Sequence, residues 1–279
     1  MERTYPQIDV AGILRARLPR LSRFIPGFVV RALARLIRER ELNEVLASYW
    51  HLPPQEFIRA TFRSWNITCR TEGLDALDET GRYMFVANHP FGGMDGMMLA
   101  DVLTERFGDV RVVVNDLLMN VEPLAPIWLP VNKHGRQTAA YARRMEEGLS
   151  GGMPVLTFPA GLCSRRRGGV VADTEWRTSF LKWAAASGRT IVPVFVEGTL
   201  SDRFYRLSRL RERLGVKFNA EMILLPDEML RQSGRSFRIV FGEPVTDEEL
   251  AKAGSAAERA RMVRERVYGL REKPRNRDK

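Results

Sequence analysis

The chain has 279 residues, 44% of them hydrophobic and 28% charged, which is enough apolar side chain to offset the ordering entropy of a core and excludes disorder over the whole length. Two cysteines, Cys69 and Cys163, cannot form a disulfide framework and suit a reducing compartment; three scattered histidines give no local ligand motif, so no metal is expected. The formal net charge of +10 points to polyanionic partners: nucleic acid, anionic lipid, or an acidic protein or cofactor.

Taken in chain order, the charge comes first. Residues 1–40 hold nine arginines against Glu2, Asp9 and Glu39, which is +6 of the +10. The longest uncharged apolar stretch there, Phe24–Val30, is interrupted by Pro26 and Gly27 and falls far short of the ~20 residues a membrane span needs. Glu2 and Asp9 spoil a basic leader, so no signal peptide is expected. Phe28, Val29, Leu33, Leu36, Ile37 and Leu42 recur at helical spacing with arginines between them, which predicts one basic amphipathic helix over 27–48. Such a helix suits an anionic membrane surface; the same stripe also suits packing on the main domain. A second helix is expected over 54–64, after Pro53 and Pro54.

From residue 67 short apolar runs alternate with helical patterns. Strands are expected at Ile67–Thr71, Tyr83–Ala87, Val110–Asn115, Trp128–Val131, Val155–Phe158, Ile191–Val196 and Phe237–Phe241, and also at Met222–Leu225. Helices are expected at Gly96–Arg106, Gln137–Leu149, Asp173–Ser187, Ser201–Leu214 and Asp247–Tyr268. The alternation predicts an α/β fold: a layered domain over 66–270 with a mostly buried mixed sheet, an N-terminal helical segment over 1–65 and a charged tail over 271–279.

The segment Tyr83–Asp101, YMFVANHPFGGMDGMMLAD, carries the chemistry. An apolar strand gives out at Asn88-His89-Pro90, the place where α/β folds keep their reactive groups. Pro90 stiffens the exit, and Gly92 and Gly93 let the chain fold back so that Asp95 reaches the His89 ring. A histidine oriented by a carboxylate is a general base. Asp95 also sits where a helix N-cap belongs, and Asn88 suits a loop-shaping role. Further on, VLTFPAGLCSRRR runs from a strand through Gly161 to Ser164, Arg165, Arg166 and Arg167, an arrangement suited to phosphate or carboxylate. Lys133 and Arg136, in LPVNKHGRQ, offer further anion contacts. In IVPVFVEG, Pro193 implies a sheet edge or a bulge. Met94, Met97, Met98 and Leu99 read as helix core in preference to the border of an acyl channel, and Asp173, Glu175 and Trp176 as no more than a helix start. No GxSxG elbow occurs, so a serine nucleophile is not indicated.

NHPFGGMDG, FPAGLCSR and IVPVFVEG, in this order, resemble the lysophosphatidate acyltransferase-like superfamily of glycerolipid synthesis over roughly residues 65–245. The resemblance implies that His89 takes the proton of a lipid hydroxyl, that Asp95 holds His89, and that the oxygen attacks an acyl thioester of acyl carrier protein or coenzyme A, with no bound cofactor. Two departures stand out: five residues separate His89 from Asp95 where the family has four, and Ala160 and Cys163 replace the Glu and Arg of the usual FPEGTRS. The rebuilt third motif is similar to a bacterial subgroup labelled hemolysins, which includes O-acyltransferases completing glycine and ornithine lipids. That implies an N-(3-hydroxyacyl) amino-acid lyso-lipid as acceptor, at the cytoplasmic face of the inner membrane, bound peripherally to an anionic surface. The alternatives are a 1-acylglycerol-3-phosphate acyltransferase and a basic nucleic-acid- or membrane-binding protein without catalysis; no zinc-finger spacing or aromatic RNA-binding stretch supports a nucleic-acid partner.

Overall fold

The computed structural model describes residues 5–272 except 18, 20, 21, 116, 117, 120, 132–137 and 217. Seven strands pair into one sheet: β1 (Thr68–Glu72), β2 (Tyr83–Ala87), β3 (Arg111–Asn115), β4 (Trp128–Val131), β5 (Val155–Thr157), β8 (Thr190–Val196) and β9 (Ser236–Phe241), in the order β1-β9-β8-β2-β5-β3-β4. Every pairing is parallel except β8 with β9, so the sheet is mixed, as expected. The central strand β2 is buried throughout. Its period-two alternation sends Phe85 and Ala87 to one face and Met84 and Val86 to the other, where two separate cores form. The first face carries α3 (Glu39–Tyr49), α4 (Pro54–Ser64), α5 (Gly93–Phe107) and α8 (Asp202–Arg213). The second carries α6 (Ala139–Ser150), α7 (Ser179–Ser187) and α11 (Ala256–Gly269).

The N-terminal helices α1 (Val10–Arg17) and α2 (Gly27–Leu36) are peripheral, and α2 buries no residue. By contrast α4 places Phe57, Ile58 and Phe62 in the first core and pairs Arg59 with Asp101 and Glu105 of α5. A boundary at residue 65 therefore does not separate two bodies. The helix expected over 27–48 is broken at Arg38, which adopts a left-handed φ of 58°. Its guanidinium is held by Asp227 at 2.7 Å and Glu41 at 3.0 Å, and the turn sends α3 off in a new direction.

Three further expectations are corrected. Met222–Leu225 is no strand: a 3-10 turn over Ala220–Leu224 runs into α9 (Leu225–Leu230), with Pro226 at a position where its missing N–H costs nothing. The helix expected over 247–268 is two, α10 (Asp247–Lys252) and α11, because Thr246 with Glu249 and Ser255 with Glu258 form two separate capping boxes. The three arginines after Ser164 form a strand, β6 (Arg165–Arg167), in a two-stranded hairpin with β7 (Val170–Ala172). Of the edge or bulge expected at Pro193, the edge is not found, because Pro193 lies inside the sheet between β9 and β2. There the regular ladder stops at Val194 and Phe241, Gly242 N–H still donates to the Pro193 carbonyl at 2.8 Å, and the next bridge, Ile191 with Val245, is displaced by one residue, so the proline sits at a bulge-like irregularity. The last expectation, a tail over 271–279, lies mainly outside the described residues.

Candidate active site

His89 leaves the carboxyl end of β2, and Asp95 sits in the first turn of α5. Nδ1 of His89 is 3.0 Å from Oδ2 of Asp95, although the ring N–H is not aligned on that oxygen as a full hydrogen bond. The same Oδ2 accepts the backbone N–H of Phe91 at 2.8 Å and of Gly92 at 3.0 Å. Asp95 is fully buried, and its other oxygen, Oδ1, has no partner. Burial pushes the Asp95 carboxyl above its ordinary range, opposed by His89 and the Phe91 amide. The longer spacing between histidine and aspartate is absorbed at Gly92, where φ is +75°. A Cβ there would lie 3.0 Å from both Cys163 Sγ and a Leu225 methyl, so the turn closes only on glycine. The second close approach is Gly198 of the VEG segment: a Cβ would overlap the Phe91 ring, which locks the His89 loop against the end of β8.

The His89 ring stacks on Phe158, with centroids 4.3 Å apart. Behind it stands Asp173, whose carboxylate accepts His89 N–H at 3.2 Å, the Ser164 hydroxyl at 2.6 Å and Trp176 Nε1–H at 2.9 Å. Ser164 N–H in turn donates to the His89 carbonyl at 2.8 Å. The backbone of Asp173 is held by the Tyr268 hydroxyl and Arg264, which ties α11 to the site. Asp173 is therefore no helix start. Residues 173–178 are outside any helix, and α7 begins only at Ser179. The sequence signal that pointed to it was a buried-type aspartate beside a tryptophan three residues on, which a helix N-terminus explains equally well. Asn88 plays the loop-shaping part, exchanging hydrogen bonds of 2.9 and 2.7 Å with the backbone of Val196.

A cavity of about 1140 Å³ opens at His89 and runs along the second face of the sheet between α6 and α7. Gly92, Gly93, Phe158 and Gly161 line its His89 end; Met145, Leu149, Trp183 and Ala186 line its walls; Arg82 lies at the far end. Its volume exceeds the usual ~300–1,000 Å³ of small-ligand sites. From Arg82 to His89 the strand spans roughly 23 Å at ~3.3 Å per residue. Met94, Met98 and Leu99 are buried in the first core, and none of the methionines Met94, Met97 and Met98 lines this cavity.

The arginines after Ser164 lie elsewhere. Arg165, 4% exposed, bonds the Cys163 carbonyl at 2.8 Å and Glu221 at 2.7 Å. Arg166 pairs with Asp202 and lies over the Tyr205 ring at 4.4 Å. Neither reaches the cavity, and Ser164 is buried against Asp173, so these three are not brought to the His89 mouth; Gly161 is. Pro90 is buried under the loop. Lys133 and Arg136 lie outside the described residues. Cys163 is buried, with its thiol pushed up to about 12 by desolvation and the nearby Asp95 charge, so it carries no thiolate at neutral pH. Among the described residues no group of side chains could hold a metal ion, and no helix is long and apolar enough to cross a membrane.

An α/β sheet that ends in a histidine backed by a buried carboxylate, facing a long cavity of mixed apolar and charged lining, has the arrangement of an enzyme working by proton transfer to or from a chain-like substrate. Residues 12–275 match the model of a family described as acyltransferases, and the chain belongs to that family. It is 37% identical over 264 residues to the lyso-glycine lipid O-acyltransferase of Phocaeicola vulgatus, covering 94% of this chain and 95% of that protein. It is 38% identical over 264 residues to the lyso-glycine lipid O-acyltransferase of Bacteroides thetaiotaomicron, covering 94% of this chain and 97% of that one. Among solved structures it is similar to the 1-acyl-sn-glycerophosphate acyltransferase PlsC of Thermotoga maritima, with a TM-score of 0.46 at 18% identity over 95% of this chain and 96% of that one. The protein is an acyltransferase, and the expectation of a non-catalytic basic binding protein is set aside.

Proposed function

We propose that the protein is an O-acyltransferase that moves a fatty acyl group from the thioester of acyl carrier protein or coenzyme A to the hydroxyl of an N-(3-hydroxyacyl) amino-acid lyso-lipid. The observation that carries this reading is the placement of His89 between Asp95 and the cavity. With Nδ1 turned to Asp95, Nε2 is the nitrogen left to accept a proton. It takes the hydroxyl proton as the oxygen attacks the thioester carbonyl; the tetrahedral intermediate then expels the thiolate, which recovers that proton from His89. The Gly92 amide is committed to Asp95 and the Gly161 amide to the Phe158 carbonyl at 2.9 Å, so the Gly93 amide on the cavity wall is the donor for the developing oxyanion. The apolar walls between α6 and α7 receive an acyl chain.

The acceptor class is supported by the two relatives and by the internal ion pairs of Arg165 and Arg166, which leave neither for an acceptor phosphate. Attachment is peripheral, at an anionic cytoplasmic membrane surface. Ile13, Phe24 and Phe28 are 52%, 83% and 66% exposed on α1, α2 and the turn between them, interleaved with the exposed Arg15, Arg23, Arg31 and Arg35. The test is a matched lipid profile. Wild type and His89→Ala are expressed in a host lacking amino-acid lipids and supplied with the lyso-lipid. A diacyl amino-acid lipid is expected by mass spectrometry with wild type alone. A change confined to phosphatidic acid and its descendants would move the acceptor to lysophosphatidate.

A further inference from the structure

An acceptor with a free carboxylate needs a cation near the base, and most cations around His89 are already engaged. Arg165 and Arg166 face Glu221 and Asp202. Arg82, at the far end of the cavity, donates to the carbonyls of Ser187, Leu149 and Ser150. Among the described residues on the cavity wall, Arg177 and Lys182 carry the other positive charges, and neither side chain makes an ion pair or hydrogen bond. The Glu146 carboxylate on the α6 wall pairs with neither.

Of the two, Arg177 is tied to the reacting end. Its backbone N–H donates to the Pro159 carbonyl at 3.1 Å, and Pro159 follows Phe158, the ring on which His89 stacks at 4.3 Å. Lys182 lies further along, inside α7. We propose that Arg177 binds the acceptor carboxylate and thereby selects amino-acid lyso-lipids, an inference that rests on the acceptor reading above. In an N-(3-hydroxyacyl)glycine the amide and a methylene on each side of it separate the hydroxyl-bearing carbon from the carboxylate, a span of about 6 Å from standard peptide dimensions. Arg177, hydrogen-bonded through its backbone to the residue after the stacking ring, lines the same cavity as His89. A guanidinium also matches a carboxylate with two parallel hydrogen bonds, which a lysine cannot do.

The experiment compares wild type, Arg177→Ala and Arg177→Lys on two acceptors, lyso-glycine lipid and its methyl ester, which keeps the shape and removes the charge. Wild type is expected to prefer the free acid. Arg177→Ala is expected to lose that preference by about 10- to 100-fold, through KM for the acid, and Arg177→Lys to keep part of it. The exposed position of Arg177 predicts an unchanged melting temperature, which separates this role from a structural one. An undiminished preference in Arg177→Ala overturns the proposal. So does a loss that shows only in KM for the acyl donor, which would assign Arg177 to donor phosphates. Wild type acylating neither acceptor would remove the acceptor reading itself.

Discussion

Oδ2 of Asp95 faces Nδ1 of His89 at 3.0 Å while accepting the amides of Phe91 and Gly92. One oxygen both closes the turn and faces the imidazole, so the helix cap and the contact to the His89 ring share a single atom. Asp95→Asn is expected to lower kcat by about 10³–10⁴-fold, since an amide neither fixes the tautomer nor stabilises the imidazolium. Its effect on stability has the opposite sign. Burial raises the carboxyl's pKa in the fold, so its contribution to stability is full below the unfolded value and is lost as pH rises through the folded one. The neutral asparagine should therefore melt above wild type at pH 7, with the gap closing as pH falls toward 4. Thermal melts of both proteins across that range decide it; parallel curves would contradict it.

Asp173 gathers three donors, from His89, Ser164 and Trp176, at a buried point between two motifs far apart in sequence. Asp173→Ala leaves the Ser164 hydroxyl and the indole N–H without that partner and is expected to cost about 3 kcal/mol in urea unfolding. Asp173→Asn keeps one acceptor oxygen and should recover part of it.

Gly92→Ala forces a side chain into a positive-φ turn and against Cys163 and Leu225. A loss of about 1–3 kcal/mol is expected. Adding Cys163→Ala should return the part of the clash that Cys163 makes and leave the Leu225 contact and the backbone part, which two unfolding curves separate.

Arg165 distinguishes an anion site from a structural ion pair. With Glu221 fully buried, Arg165→Ala leaves a carboxylate that, among the described residues, only Arg211 still meets, at 2.9 Å. A stability loss of about 3–5 kcal/mol with unchanged acceptor KM in the folded enzyme is expected. A raised acceptor KM at full stability would return Arg165 to the substrate.

Membrane contact is tested by replacing Arg31 and Arg35 with Glu. Arg38 is left alone because it holds Asp227. Each basic residue near an anionic surface contributes on the order of 1 kcal/mol, so the lost attraction alone should weaken binding to phosphatidylglycerol vesicles by about 30-fold. Sedimentation equal to wild type would exclude this face.

The local signals were legible in the chain itself. Alternation and apolar runs marked the strands, because a strand buried on both faces has little freedom of composition. NHPFGGMDG placed a histidine and a carboxylate around a glycine turn, because only glycine allows so short a return. What the sequence left open depends on contacts between distant segments. Whether Arg165 meets a substrate or Glu221, 56 residues on, is decided by where α8 and the 3-10 turn after it pack. Asp173 looked like a helix cap until the fold brought it 84 residues back to His89. Pro193 left edge and bulge open, because the pattern of one strand does not say how its neighbour's ladder runs past it. Local pattern determined the strands and the turn that joins His89 to Asp95, since backbone sterics and side-chain period act over a few residues. Tertiary structure alone decided which charges are spent inside the protein and which face the cavity, since a charge is committed only when its partner arrives.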